Sequence, residues 1–284
     1  TSGVVFDAGK YVLQGDGGLS GESGVTVNKA ADVTLNMKYS DYTGKTIVNG
    51  GTLTVPNFYD GGKSSALGSA SADKGNLQLN GGTLVLSKDN MGTDRQIVLT
   101  DTATIRITQA NSSLSLKGQV SGTGYLVKDG AGQLNFTYGG TNGFAGVIVK
   151  KGVIAQGAWN STFGKSGSPM LLAGGEVHQI DVNNMSTVPE FNHQVTVAAG
   201  TTNKIVGSSR GKINGTISGA GNLTIQTRYV RCDVGASFNN FEGTLTALGD
   251  GGNFRLMTSA ADMSKARLVV GAGTTVSFMT SGTT

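Results

Sequence analysis

Hydrophobic residues in this chain come in short bursts that alternate with polar ones. Leu77-Gln78-Leu79, Ala103-Thr104-Ile105-Arg106-Ile107, Leu114-Ser115-Leu116 and Gln194-Val195-Thr196-Val197 each place apolar side chains at every second position. In residues 121–154, Leu126, Leu134 and Phe136 fall on one side, with Thr, Asn and Gln between them. A period of two predicts half-buried β-strands, here of three to six residues, and glycine turns separate the runs. No run is long enough for a helix.

The pattern recurs over a long interval. Ser20-Gly21-Glu22-Ser23-Gly24, Ser121-Gly122-Thr123-Gly124 and Ser218-Gly219-Ala220-Gly221 open three related segments, spaced 121 − 20 = 101 and 218 − 121 = 97 residues apart. A second marker, Tyr42-Thr43-Gly44, Phe144-Ala145-Gly146 and Phe241-Glu242-Gly243, keeps that register. Three repeats result, at about 20–120, 121–217 and an incomplete 218–284, with 1–19 the end of a preceding one. Each is too long to be one solenoid turn, for which ~20–29 residues is usual in β-rich repeats. Four or five turns per repeat, and about a dozen overall, predict an all-β parallel solenoid running through residues 1–284 as one body. Stacked turns would bury one aliphatic column. A string of sandwich domains is the competing fold. It ranks second because Trp159 is the only tryptophan and the third repeat stops short, which would cut a sandwich through its core.

Composition sharpens this picture. Glycine contributes 46 of 284 residues and proline 3, the balance of a turn-rich β chain rather than a disordered one. Charged residues are 14 %, so the surface must be mostly Ser, Thr, Asn, Gln and Gly. The net charge of +4 is scattered, with Lys150-Lys151 its longest cluster, which excludes the dense basic stripe of a nucleic-acid face. Cys232 is alone, so no intramolecular disulfide forms. No apolar run reaches the ~20 residues that span a bilayer. The start at Thr1-Ser2-Gly3 reads as a mature or trimmed fragment, so a missing targeting signal carries no weight.

The run Ser121-Gly-Thr-Gly-Tyr-Leu-Val-Lys-Asp-Gly-Ala-Gly-Gln-Leu134, with Phe144-Ala-Gly and Gly152-Val-Ile, resembles the passenger-associated β-strand repeat of bacterial autotransporters. Tyr42-Thr-Gly-Lys-Thr-Ile-Val-Asn-Gly-Gly-Thr-Leu53 is similar to it as well. The first and third repeats depart from the Lys-x-Gly-Ala-Gly core, carrying Asn28-Lys29-Ala30-Ala31-Asp32 and Gln226-Thr227-Arg228-Tyr229 instead. The resemblance implies a right-handed parallel β-helix displayed outside the cell, at the bacterial surface in association with the outer membrane. It implies no single activity, because passengers include adhesins, toxins, enzymes and stalks.

Catalytic chemistry is hard to find in the chain. A polysaccharide lyase or hydrolase needs paired acids on neighbouring turns with a base beside them, whereas the 18 acidic residues are spread singly. Asp89 and Asp94 read as local Asx turns. His178 and His193 are the only histidines, and His178 reads as a surface residue. Gly15-Asp16-Gly17-Gly18 and Gly249-Asp250-Gly251-Gly252 echo a calcium β-roll but lack its tandem repetition, so they read as turns. No catalytic set, metal site or cofactor is therefore expected. Asn57-Phe58-Tyr59-Asp60 and Ala158-Trp159-Asn160 occupy equivalent places in the first two repeats and insert aromatic residues into polar loops. Phe58, Tyr59, Trp159 and Asn160 are the candidate ligand contacts, suited to stacking on a sugar ring; the competing reading folds Phe58 or Trp159 back onto the solenoid wall. The expected function is a non-catalytic, monomeric passenger or stalk in adhesion or display, meeting host or cell-surface glycans or proteins. The alternative is a glycan-binding or polysaccharide-degrading β-helix.

Overall fold

A computed structural model describes residues 3–279, apart from 38, 89, 159–160, 182–187 and 258–259. Among the described residues the chain forms 29 strands and one 3-10 turn, Ala260–Met263. Strands pair in parallel, each lying on its counterpart about one turn later in the chain. The alternation of apolar and polar residues thus becomes an all-β parallel solenoid of about a dozen turns. Two compact units divide it: Thr1–Val147 with Asn160–Lys165, and Ile148–Trp159 with Ser166–Thr284.

In the first unit, Val4–Gly15 lies on the 13-residue strand Val25–Met37. The next turn breaks that strand in two, Thr46–Asn49 and Thr52–Val55, around Gly50-Gly51. From there two ladders run side by side. One continues through Leu77–Leu79, Ile97–Leu99 and Val120–Gly122. The other continues through Thr83–Leu86, Ala103–Ile107 and Tyr125–Asp129. Met91–Thr93, Ser113–Leu116 and Gln133–Phe136 form a further wall. The first repeat lacks the Gly-Ala-Gly core at Asn28–Asp32, and there the chain runs on as a strand, with Lys29 and Ala30 exposed at the bend.

The second unit has three walls. Pro169–Leu172, Gln194–Val197, Thr216–Gly219 and Ser237–Phe241 make one. Glu176–His178, Thr202–Val206, Asn222–Gln226, Thr244–Leu248 and Arg267–Val270 belong to the second, joined by Val153–Gln156. Glu190–Phe191, Lys212–Ile213, Arg231–Val234, Asn253–Leu256 and Thr275–Phe278 make the third.

Register turns sequence into buried columns. Val27, Val48, Leu79 and Leu99 stack in successive turns, each fully buried. Phe191, Ile213, Val234 and Leu256 do the same in the second unit. Such columns remove about 25 cal/mol of free energy per Å² of apolar surface taken from water, the main term holding the turns together. Outward side chains meet their own neighbours one turn away. Asn49 Nδ2 donates to Asn28 Oδ1 at 3.3 Å, 21 residues back, and Asn28 Nδ2 donates to Asp7 Oδ1 at 2.6 Å.

One column holds a charge. Val33, Leu53, Leu84 and Ile105 lead in register to Lys128, whose side chain is completely buried. Its ammonium donates to the carbonyls of Asp129 and Gly130 at 3.0 and 2.8 Å. Burial lowers its pKa to about 8, against the raising pull of Asp129. Cys232 is buried, and burial with the nearby Asp233 pushes its thiol up to about 12.

Candidate functional site

The strands Val4–Gly15, Val25–Met37, Thr52–Val55 and Thr83–Leu86 lie on one another in register, so the chain leaves each of them at the same corner. That geometry collects residues far apart in sequence. Asp16, Asn36, Tyr39, Asn57, Tyr59 and Lys88 line one open groove of about 410 Å³.

Residues 56–76 are the largest excursion from the solenoid in this unit. Thr52 pairs with Thr83, so this turn takes 83 − 52 = 31 residues, against 21 for the turn from Val25 to Thr46. The excursion is tied down from the following turn. Arg95, 3 % exposed, donates Nε to the carbonyl of Tyr59 at 3.0 Å and Nη2 to those of Gly68 and Lys63 at 2.8 and 3.4 Å. Thr93 Oγ1 donates to the same Tyr59 carbonyl at 3.0 Å. Burial lowers the pKa of Arg95, while Tyr42, Asp94 and Asp60 pull it back up. Tyr42 is itself buried; its hydroxyl lies 2.7 Å from Thr46 Oγ1, and burial lifts its pKa to about 12.

Two aspartates complete the anchorage. The Asp94 amide donates to Asp60 Oδ1 at 2.9 Å, and the Gly61 amide donates to Asp94 Oδ1 at 2.7 Å. Lys117 Nζ also reaches Asp60 at 3.3 Å. Asp94, expected in a local Asx turn, is instead half of a reciprocal clasp between turns. The reason is register, which brings two loops 34 residues apart together. Asp89 lies outside the described residues.

The aromatic candidates take different places. Phe58 is 1 % exposed and packs inward, whereas Tyr59 is 40 % exposed. Asn57 accepts the Ala66 amide through Oδ1 at 2.7 Å, which fixes its side chain at the lip of the groove. Trp159 and Asn160 lie outside the described residues. Tyr39, Asn36 and Lys88 were not singled out by the sequence, and Asp16 only as part of a glycine turn, because only the stacking of turns brings them to Tyr59.

In the second unit His178 is half-buried rather than a plain surface residue, with Nε2 3.0 Å from Glu176 Oε2. Burial lowers its pKa; Glu176 opposes that, and Arg228 and Lys204 reinforce it. Asp181 accepts both the amide and the hydroxyl of Ser209 and lies 3.6 Å from Arg228. Burial works against its charge, but those partners hold its carboxyl below the usual carboxylate range. Asp181 is thus spent on contacts between turns, and Glu176 on His178 of its own strand. His193 is buried against Ser168 and Phe191, and burial lowers its pKa although the Ser168 backbone bond opposes this. Among the described residues no group of His, Cys, Asp and Glu is arranged to hold a metal ion.

The chain is 34 % identical over 203 residues to the adhesin BmaC autotransporter of Brucella suis biovar 1 (strain 1330). The match takes in 67 % of this chain and 6 % of that protein, so the chain corresponds to a small part of its relative's length. No family model and no solved structure matches.

Proposed function

The chain belongs to the β-helical passenger family of autotransporters, and from that premise we propose that it is a non-catalytic segment displayed outside the bacterial cell, where it takes part in adhesion. The supporting observation is the match to an autotransporter adhesin over most of a chain folded as a parallel solenoid. A solenoid suits this role physically. Its walls are held by cross-turn hydrogen bonds and buried columns, which leaves the loops at its corners free to vary. Host-cell or matrix surfaces, carrying glycans or proteins, are the partners the role requires. Among the described residues no helix is long and apolar enough to cross a membrane.

The test is retention. Beads carrying the 284-residue chain are expected to bind epithelial cells or immobilised matrix proteins well above beads carrying an unrelated β-rich protein. Retention at the control level on every surface would overturn the adhesive role.

A further inference from the structure

We propose that the corner groove lined by Tyr39 and Tyr59 is a saccharide-binding site for a neutral, hydroxyl-rich glycan. Three observations carry the inference, which rests on the adhesion reading only for where the ligand is met.

The first is the pairing of aromatic and hydrogen-bonding groups in one concave space. Tyr39 and Tyr59 are 58 % and 40 % exposed, although large aromatics are usually well buried. A tyrosine offers an apolar face to the C–H side of a pyranose ring and a hydroxyl to its rim. Asn36, Asn57 and Asp16 line the same groove and supply the donors and acceptors that hydroxyl pairs need.

The second is charge. One carboxylate, Asp16, and one ammonium, Lys88, line the groove, so it favours neither a strong anion nor a strong cation. That points to a neutral sugar over a uronate, a sialic acid or a basic peptide. The third is rigidity. The Tyr59 carbonyl is held by Arg95 and Thr93, and the Asn57 carboxamide by the Ala66 amide. A site built before the ligand arrives loses little to ordering on binding, which matters for ligands with few strong contacts.

The test begins with the 284-residue chain on an array of neutral, sialylated and uronate-containing oligosaccharides, alongside immobilised peptides. The best neutral sugar is then titrated by calorimetry against the chain and three variants. Tyr39→Ala and Tyr59→Ala are each expected to weaken binding about tenfold or more, as loss of an aromatic anchor does. Tyr125→Ala, which removes an exposed tyrosine outside the groove, is expected to leave binding unchanged. Circular dichroism of each variant checks that the fold is kept. No neutral sugar bound at millimolar concentration, binding indifferent to both groove substitutions, or binding confined to peptides or charged sugars would overturn the proposal. Cell retention of wild type and Tyr59→Ala separates this from the adhesion reading. Retention of the wild type with no neutral sugar bound sinks the groove and spares adhesion, whereas absent retention with sugar binding that Tyr59→Ala abolishes does the reverse.

Discussion

Gly122 and Gly219, both from the Ser-Gly-x-Gly motif, lie in the left-handed region with φ of 125° and 97°. A β-carbon on Gly122 would overlap the carbonyl oxygen of Leu99, and one on Gly219 that of Val197, each directly below in the preceding turn. In these two copies the motif is therefore a backbone-to-backbone contact between turns, whereas a β-carbon on Gly21 in the first copy would meet nothing within 4 Å. Gly122→Ala is expected to cost about 2–4 kcal/mol in urea unfolding. Gly139→Ala, where an added β-carbon meets nothing within 4 Å, is expected to change stability by less than about 0.5 kcal/mol. Lys128 gives a pH signature. Its folded pKa of about 8 lies below the unfolded 10.5, so the unfolded chain holds more protons between those values and stability rises with pH there. From Lys128 alone the rise is expected to be about 1 kcal/mol from pH 8 to 9; Cys232, whose thiol is pushed from 9.0 up to about 12, already opposes part of it in that window, and Tyr42 joins it from about pH 10. Lys128→Met should abolish that slope in a series of denaturant melts. Lys128 was visible in the sequence as part of a repeat core, but its place in an aliphatic column depends on a partner, Ile105, that only register assigns.

At the scale of elements, strands were legible because alternation is local: Leu77-Gln78-Leu79 and Gln133-Leu134-Asn135-Phe136 each carry the full signal in three or four residues. The groove was not. Asp16 follows one strand and Lys88 follows another 88 − 16 = 72 residues later, and nothing near either indicates that they share a corner. The latch on residues 56–76 was hidden for the same reason, since Arg95 looks like any loop arginine until Tyr59, Lys63 and Gly68 are placed around it. Removing it takes a charged donor from three carbonyls at once, leaving Tyr59 only Thr93 and Gly68 only Ser65, and empties a buried space. Arg95→Ala is expected to cost about 3 kcal/mol and to speed proteolytic cutting within 56–76 about tenfold or more. Arg95→Lys should recover little, because one ammonium cannot reproduce a planar fork serving several acceptors. Limited proteolysis with mass spectrometry reads both outcomes.

For the whole molecule, the repeat interval of about 100 residues announced a solenoid, and the structure resolves it into turns of mostly 20–25 residues. Modularity at that finer interval is testable. Deleting residues 97–119 removes one full turn and brings Val120 to the place of Ile97 above Leu77, with both aliphatic ladders still in phase. The shortened chain is expected to keep its β-type circular dichroism and cooperative unfolding. Deleting residues 97–107 instead moves the following strands out of phase, exposes their apolar faces and should yield aggregated protein.

The parallel pairing has a mechanical consequence. Because each strand bonds to its counterpart about 21 residues on, the hydrogen bonds point along the direction in which turns are stacked. A tether pulling in that direction loads one turn's ladder before the next. Each release would pay out about 70 Å of slack, at ~3.4 Å per residue for a chain drawn straight. A cell held by such a strap under flow would lose its grip in small instalments, with a chance to re-form each one when the drag eases.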